Sequence, residues 1–296
     1  MKPFSLRQLA SIPFAVILCA GLAVGSETTE VEWEIPEDTN AIESLTPEQA
    51  REIAGRFLGV SITVPFSPVD GNGVFNFALP LNGLTELDAA TAEALARYGD
   101  PGCIALNGVR TLPEDVGRAL AKTPSFALLL NGITKLEPAT ARSLAEYRGD
   151  LHLNGLEDLP TEVAKEIGQY RAGCLSLGGL KTLSPEAAKE LAKYRGSWLG
   201  LNGLTTLSGE AARELATFKG DDLCLDSVTD LSPEAATALG SFCGSAIELD
   251  SVTLLSEQTA RSLACFGGVN CRCGGSRNCL PRLPEPSPRA KPGKCV

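Results

Sequence analysis

Aromatic side chains are scarce: Trp, Tyr and Phe make up 5% of the 296 residues. That suits thin, regular layers of Leu and Ala better than a bulky core. Histidine is scarcer still, with His152 alone. Also missing are an HExxH helix, a Gly-rich phosphate loop, a GxSxG elbow and the Gly- and Asp-rich nine-residue calcium repeat. No enzyme and no cofactor is therefore expected. Basic residues are outnumbered 26 to 36. That balance argues against nucleic acid and anionic lipid as main partners. Hydrophobic residues, at 44%, are still enough for a packed core.

A long apolar run occurs only at the start, in "MKPFSLRQLASIPFAVILCAGLAVGSE". Lys2 and Arg7 precede the apolar stretch 12–23, and Ala23-Val24-Gly25 is a small-x-small cleavage pattern before Ser26. Residues 1–25 read as a secretory signal peptide, with an apolar run too short to span a bilayer. Lipid attachment at Cys19 is disfavoured, because Leu18 stands where a small residue is required. Removing Lys2 and Arg7 leaves 24 basic residues against 36 acidic ones, a net charge of −12. The expected mature chain is exported, secreted or held at the cell envelope, with no membrane span. Residues 26–44 are acidic and read as a loose lead-in.

What the chain has in abundance is repetition. "LGLNGLTTLSGEAARELATFKG" (199–220) nearly copies "LSLGGLKTLSPEAAKELAKYRG" (175–196). Anchored on the second Leu of LxL, the copies fall at Leu81, Leu106, Leu130, Leu153, Leu177, Leu201, Leu225 and Leu249. The period is 24 residues, with one step of 25 and one of 23. The first half of each copy alternates Leu with small residues and turns at Asn-Gly, which predicts a short strand and a tight bend where Gly takes positive φ. The second half, as in "LSPEAAKELAKYRG" (183–196), predicts a short helix. Ser184 is its N-cap, Pro185 its first residue, Glu186 favours the helix dipole, and Gly196 ends it. One such unit cannot bury its own Leu face, but stacked units bury it against each other. A helical half-copy at 45–59 reads as the terminal cap. Residues 60–80 read as an insertion or first strand within a capping region 45–80.

This pattern resembles the leucine-rich repeat, close to the short, secreted bacterial kind, over about 81–267. The resemblance implies an α/β solenoid of eight units, a parallel sheet on one side and short helices on the other. The chain departs from the common pattern in one respect. Asn follows the strand Leu directly, as in Leu201-Asn202, so the usual buried Asn ladder is expected to be absent or displaced.

In such a solenoid the residues between the paired Leu should point out of the sheet. They read Pro80, Ala105, Leu129, His152, Ser176, Gly200, Cys224 and Glu248. Two positions earlier the column reads Ala78, Cys103, Ala127, Asp150, Cys174, Trp198, Asp222 and Ala246. The candidate binding residues are thus His152, Ser176, Trp198, Asp150, Asp222 and Glu248. Trp198 is either filling beside Gly200 or a contact anchor. A Ser176–His152–Asp150 set can be drawn, but Ser176 lacks a strained elbow, so catalysis there is only a remote alternative. The last two copies replace "LNGL" by "LDSV". This is drift toward the cap or an acidic, cation-binding edge of Asp226 and Asp250 with Asp221, Asp222 and Glu248.

Nine cysteines remain after residue 25. Cys103, Cys174 and Cys224 lie in or beside strands and read as buried thiols. Cys243, Cys265, Cys271, Cys273, Cys279 and Cys295 crowd the end, as in a disulfide-stapled cap of an exported protein. The spacing in 265–279 lacks the CxxC pairs of common zinc sites, so no metal is expected. The tail 268–296 is Cys- and Pro-rich and basic, with Arg272, Arg277, Arg282, Arg289, Lys291 and Lys294 against Glu285. The sequence points to a non-catalytic binding protein with a protein or glycan partner at the cell surface. The alternative is an envelope spacer that self-associates through its acidic body and basic tail.

Overall fold

The computed structural model describes residues 33–56, 60–65, 72–98, 102–252 and 256–263. The expected signal peptide and basic tail lie outside the described residues. All the elements below belong to one unit, Ile35–Val296. Helix α1 is Pro47–Arg56, and β1 (Val60–Pro65) pairs antiparallel with β2 (Asn72–Pro80). Each later coil adds a three-residue strand: β3 Cys103–Ala105, β4 Ala127–Leu129, β5 Asp150–His152, β6 Cys174–Ser176, β7 Trp198–Gly200, β8 Asp222–Cys224 and β9 Ala246–Glu248. Between them run helices α2 Ala89–Leu95, α3 Glu114–Leu120, α4 Pro138–Leu144, α5 Thr161–Ile167, α6 Pro185–Leu191, α7 Gly209–Leu215, α8 Pro233–Leu239 and α9 Glu257–Leu263. The strands form one sheet in chain order, parallel from β2 to β9. The architecture is the leucine-rich-repeat-like α/β solenoid that the repeat predicts.

Local chemistry explains each coil. The side chains of Ser184, Ser208 and Ser232 each accept the backbone N–H three residues on, at 3.1 Å, and so start α6, α7 and α8. Leu199, Leu201, Leu204, Ala211, Ala212 and Leu215 are fully buried between strand and helix. Beneath the bend that leads back to the sheet, Tyr170, Tyr194, Phe218 and Phe242 stack ring on ring, with centroids 5.5, 5.6 and 6.2 Å apart.

Three expectations change. Gly196 does not end its helix, which stops at Leu191 with Ala192 as a right-handed cap. A Cβ on Gly196 would strike the Tyr194 ring and the Gly173 carbonyl, so its role is clearance. The glycines of the Asn-Gly bends have the same role. Among the described glycines only Gly173 has positive φ. A side chain at Gly155 or Gly203 would run into carbonyl oxygens of the preceding coil, Ile133 and Leu180 at 2.6 Å among them.

The Asn ladder is displaced rather than lost. The Asn82 side chain accepts the Asn107 N–H, Asn107 that of Asn131, Asn131 that of Asn154, and Asn154 that of Gly178. The ladder begins earlier than expected, because Asn40 accepts both the backbone and the side-chain N–H of Asn82. The half-unit at 45–59 therefore has its bend as well. Residues 38–44 carry a capped 3-10 turn, Thr39–Ala41, rather than belonging wholly to a loose lead-in. The ladder ends at Gly178, which stands in the Asn position and has no side chain to accept the next N–H; further on, Asn202 Oδ1 and Asp226 Oδ1 are buried without a hydrogen-bond partner.

Candidate functional site

The sheet places the expected binding residues in register. Trp198 pairs with Cys174 on one side and Asp222 on the other, and His152 pairs with Leu129 and Ser176. Four of the six, Asp150, His152, Ser176 and Trp198, are not offered to solvent, and for these the sequence expectation is corrected. Asp150 is 6% exposed, His152 1%, Ser176 0% and Trp198 3%. Asp222 and Glu248 are half-buried. The columns pack along the sheet instead. Ala78, Cys103, Ala105, Ala127 and Leu129 form one cluster, and Cys174, Trp198 and Cys224 another. The Trp198 ring occupies the space a Cβ on Gly200 would take, so Trp198 is filling.

The polar members serve the coil. Ser176 Oγ donates to Asn154 Oδ1 at 2.7 Å, and Asp150 Oδ1 accepts the Cys174 N–H at 2.7 Å. This commits the Ser and Asp of the Ser–His–Asp drawing to other partners. Burial holds His152 near pKa 4, keeping the ring neutral at physiological pH, and raises the Asp150 carboxyl.

The C-terminal coils gather the acidic residues named in the sequence. Burial raises Asp222, with Asp221 and Glu248 adding to it. Asp226 is pushed up to about 6 by burial and by Glu248 and Asp250. Cys224 Sγ donates to Glu248 Oε2 at 2.8 Å. Among the described residues no group of three or more His, Cys, Asp or Glu is placed to hold a metal ion, and no helix is long and apolar enough to cross a membrane. Cys103, Cys174 and Cys224 are free and buried, as expected, and burial pushes Cys103 up to about 12. Of the six terminal cysteines, Cys243 lies among the described residues and the other five lie outside them.

One arrangement escaped the sequence reading. The residue after the buried ring is basic in four successive coils, Arg148 after Tyr147 and then Arg171, Arg195 and Lys219 after the first three rings of the stack, and all four are exposed. A groove of 630 Å³ is lined by Arg148 and Arg171 together with Arg142, Glu146, Glu166 and Gln169. The signal was present as a basic residue recurring at the repeat period.

No protein family matches the chain, and no curated protein is similar to it. Among solved structures, it is similar to an internalin from Listeria monocytogenes strain 4b F2365. The identity is 16%, the TM-score is 0.41, and the match covers 64% of this chain and 54% of that one. The chain thus spans about half the length of that structure.

Proposed function

We propose that this is an exported, non-catalytic binding protein that presents the outside of its coils to a protein or glycan partner at the cell surface. The carrying observation is the division of labour between buried and exposed positions. The sheet-face polar groups are consumed inside the solenoid, whereas exposed positions such as Arg148, Arg171, Arg195 and Lys219 recur in register from coil to coil. A repeated coil turns one residue choice into a long row, which suits recognition of an extended partner. Export rests on the pattern in 1–25. A disulfide-stapled C-terminal cap fits that location.

The test is affinity capture with chain 26–296 immobilised and exposed to envelope and secreted material of the source cell. A defined protein or glycan, competed off by soluble chain, supports the proposal. Recovery of the chain itself alone, released by salt, overturns it in favour of the envelope spacer. Consumption of the captured partner on the column would overturn the non-catalytic reading.

A further inference from the structure

Among the described residues the sheet ends at β9, Ala246–Glu248. An open edge presents a row of N–H and C=O groups to any passing strand. The inside of that last coil is nonetheless covered. Ile247 and Leu249 are fully buried, and Val252 and Leu263 are 3% exposed. Coils on one side alone would leave these side chains open on the other. The chain after Leu263 belongs to the same unit as the coils, Ile35–Val296.

The repeat continues in that stretch under a change of residue. The anchor one period after Leu249 is Cys273, and the landmarks of a coil fall in place around it. Phe266 stands one period after Phe242, the last ring of the stack. Gly268 stands where Gly196, Gly220 and Gly244 keep clear of the ring two residues back and of a carbonyl of the coil before. Cys271-Arg272-Cys273-Gly274-Gly275 matches Leu175-Ser176-Leu177-Gly178-Gly179, with Cys at both Leu positions. Cys279 and Pro281 take the places of Leu183 and Pro185. There the copy stops, because Pro284 and Pro286 fall inside what would be its helix.

We propose that residues 264–279 form a terminal coil without a helix, whose strand at 270–272 pairs parallel with β9 and closes the edge of the sheet. Leu177, Leu201 and Leu225 each donate the backbone N–H to a carbonyl one coil on, Gly200, Cys224 and Glu248, at 2.8, 2.9 and 2.9 Å. The same step from Leu249 leads to the Arg272 carbonyl. Charge fits the register as well. Glu248 pairs with Cys224 on one side, and Arg272 takes the place on its other side, one strand spacing of about 4.8 Å away. Cys271 and Cys273 face inward on a coil with a neighbour on one side only, where a compact side chain leaves less apolar surface in water than Leu. With the edge closed, a partner cannot add a strand there, and recognition is left to the outside of the coils.

The experiment follows amide hydrogen exchange at Leu249 in chain 26–296 by NMR, with Tm and sedimentation alongside. The parent should be a monomer with a protected Leu249 N–H. Gly268→Val should speed that exchange at least about tenfold and lower the Tm, because its side chain meets the Phe266 ring. Gly267→Val, at the exposed position of Arg195 and Lys219, should change neither. Gly268→Ala against Gly267→Ala carries the same reading if Gly268→Val fails to fold. Arg272→Glu should also speed the exchange, and adding Glu248→Arg should restore protection. The proposal is overturned by fast Leu249 exchange in the parent, by equal effects at positions 267 and 268, or by a charge swap that restores nothing. A parent dimer whose Leu249 protection disappears on dilution also overturns it, because a second copy then covers the edge.

Discussion

The displaced Asn ladder makes a graded prediction that a generic polar repeat does not. Asn154 Oδ1 accepts two hydrogen bonds, from the Gly178 N–H and from Ser176 Oγ, both at 2.7 Å. Asn131 Oδ1 accepts one, from the Asn154 N–H at 3.0 Å. Asn202 Oδ1 accepts none and is buried. Stranding a buried donor costs about 1–3 kcal/mol, and these half-buried sites belong at the low end. Asn154→Ala should therefore cost about 2 kcal/mol and Asn131→Ala about 1 kcal/mol. Asn202→Ala should stay under about 0.5 kcal/mol, because it removes an acceptor already unsatisfied. Urea unfolding followed by far-UV circular dichroism measures this, with a common m-value required so that the free energies can be compared. In Tm, each 1 kcal/mol corresponds to about 2–4 °C for a domain of this size. Equal costs at Asn154 and Asn202 would refute the reasoning, since stability would then follow residue type and not the bonds made.

Trp198→Ala should destabilise by about 3–5 kcal/mol, as expected of a buried aromatic and not of a surface anchor; calorimetric Tm decides. His152 and Asp226 should give opposite pH dependences. The folded His152 pKa of about 4 lies below the ordinary imidazole value of 6.5, so the unfolded chain binds the proton first and stability falls as pH drops from about 6.5 to 4. The folded Asp226 pKa of about 6 lies above the ordinary carboxyl value of 3.8, so stability is lost as pH rises through that window. Asp226→Asn should thus gain about 1 kcal/mol at pH 7 after discounting for solvent screening, and little at pH 4. Denaturant midpoints measured from pH 4 to 7 check both signs. Cys103, Cys174 and Cys224 should resist alkylation in the folded chain and react on unfolding; rapid labelling of the native protein would contradict their burial. Removing residues 33–44 should lower the Tm by several degrees, because Asn82 loses both bonds to Asn40.

Much of the fold was legible in the chain because its causes are local or periodic. The 24-residue period demands identical coils, and Ser184, Ser208 and Ser232 cap helices wherever they occur. Leu at every second strand position names the buried face without reference to any neighbour. The candidate site was much less legible. Trp198, His152 and Asp150 alternate with Leu just as outward residues would, and period-two alternation says which residues share a face, not whether that face is covered.

Sequence by itself determined the unit, its number of copies, the order of strand, bend and helix, and the acidic character of the chain. Tertiary structure alone decided what each coil does to the next. Gly155 and Gly203 keep clear of a neighbour's carbonyls. Asn154 satisfies a donor 24 residues away. The coils bring Tyr170, Tyr194 and Phe218, separate in the chain, into one stack with centroids 5.5 and 5.6 Å apart. The physical reason is that these effects depend on the distance between coils. Backbone hydrogen bonds across the sheet and the thickness of a stacked ring set that distance, and neither can be read from the residues of one coil.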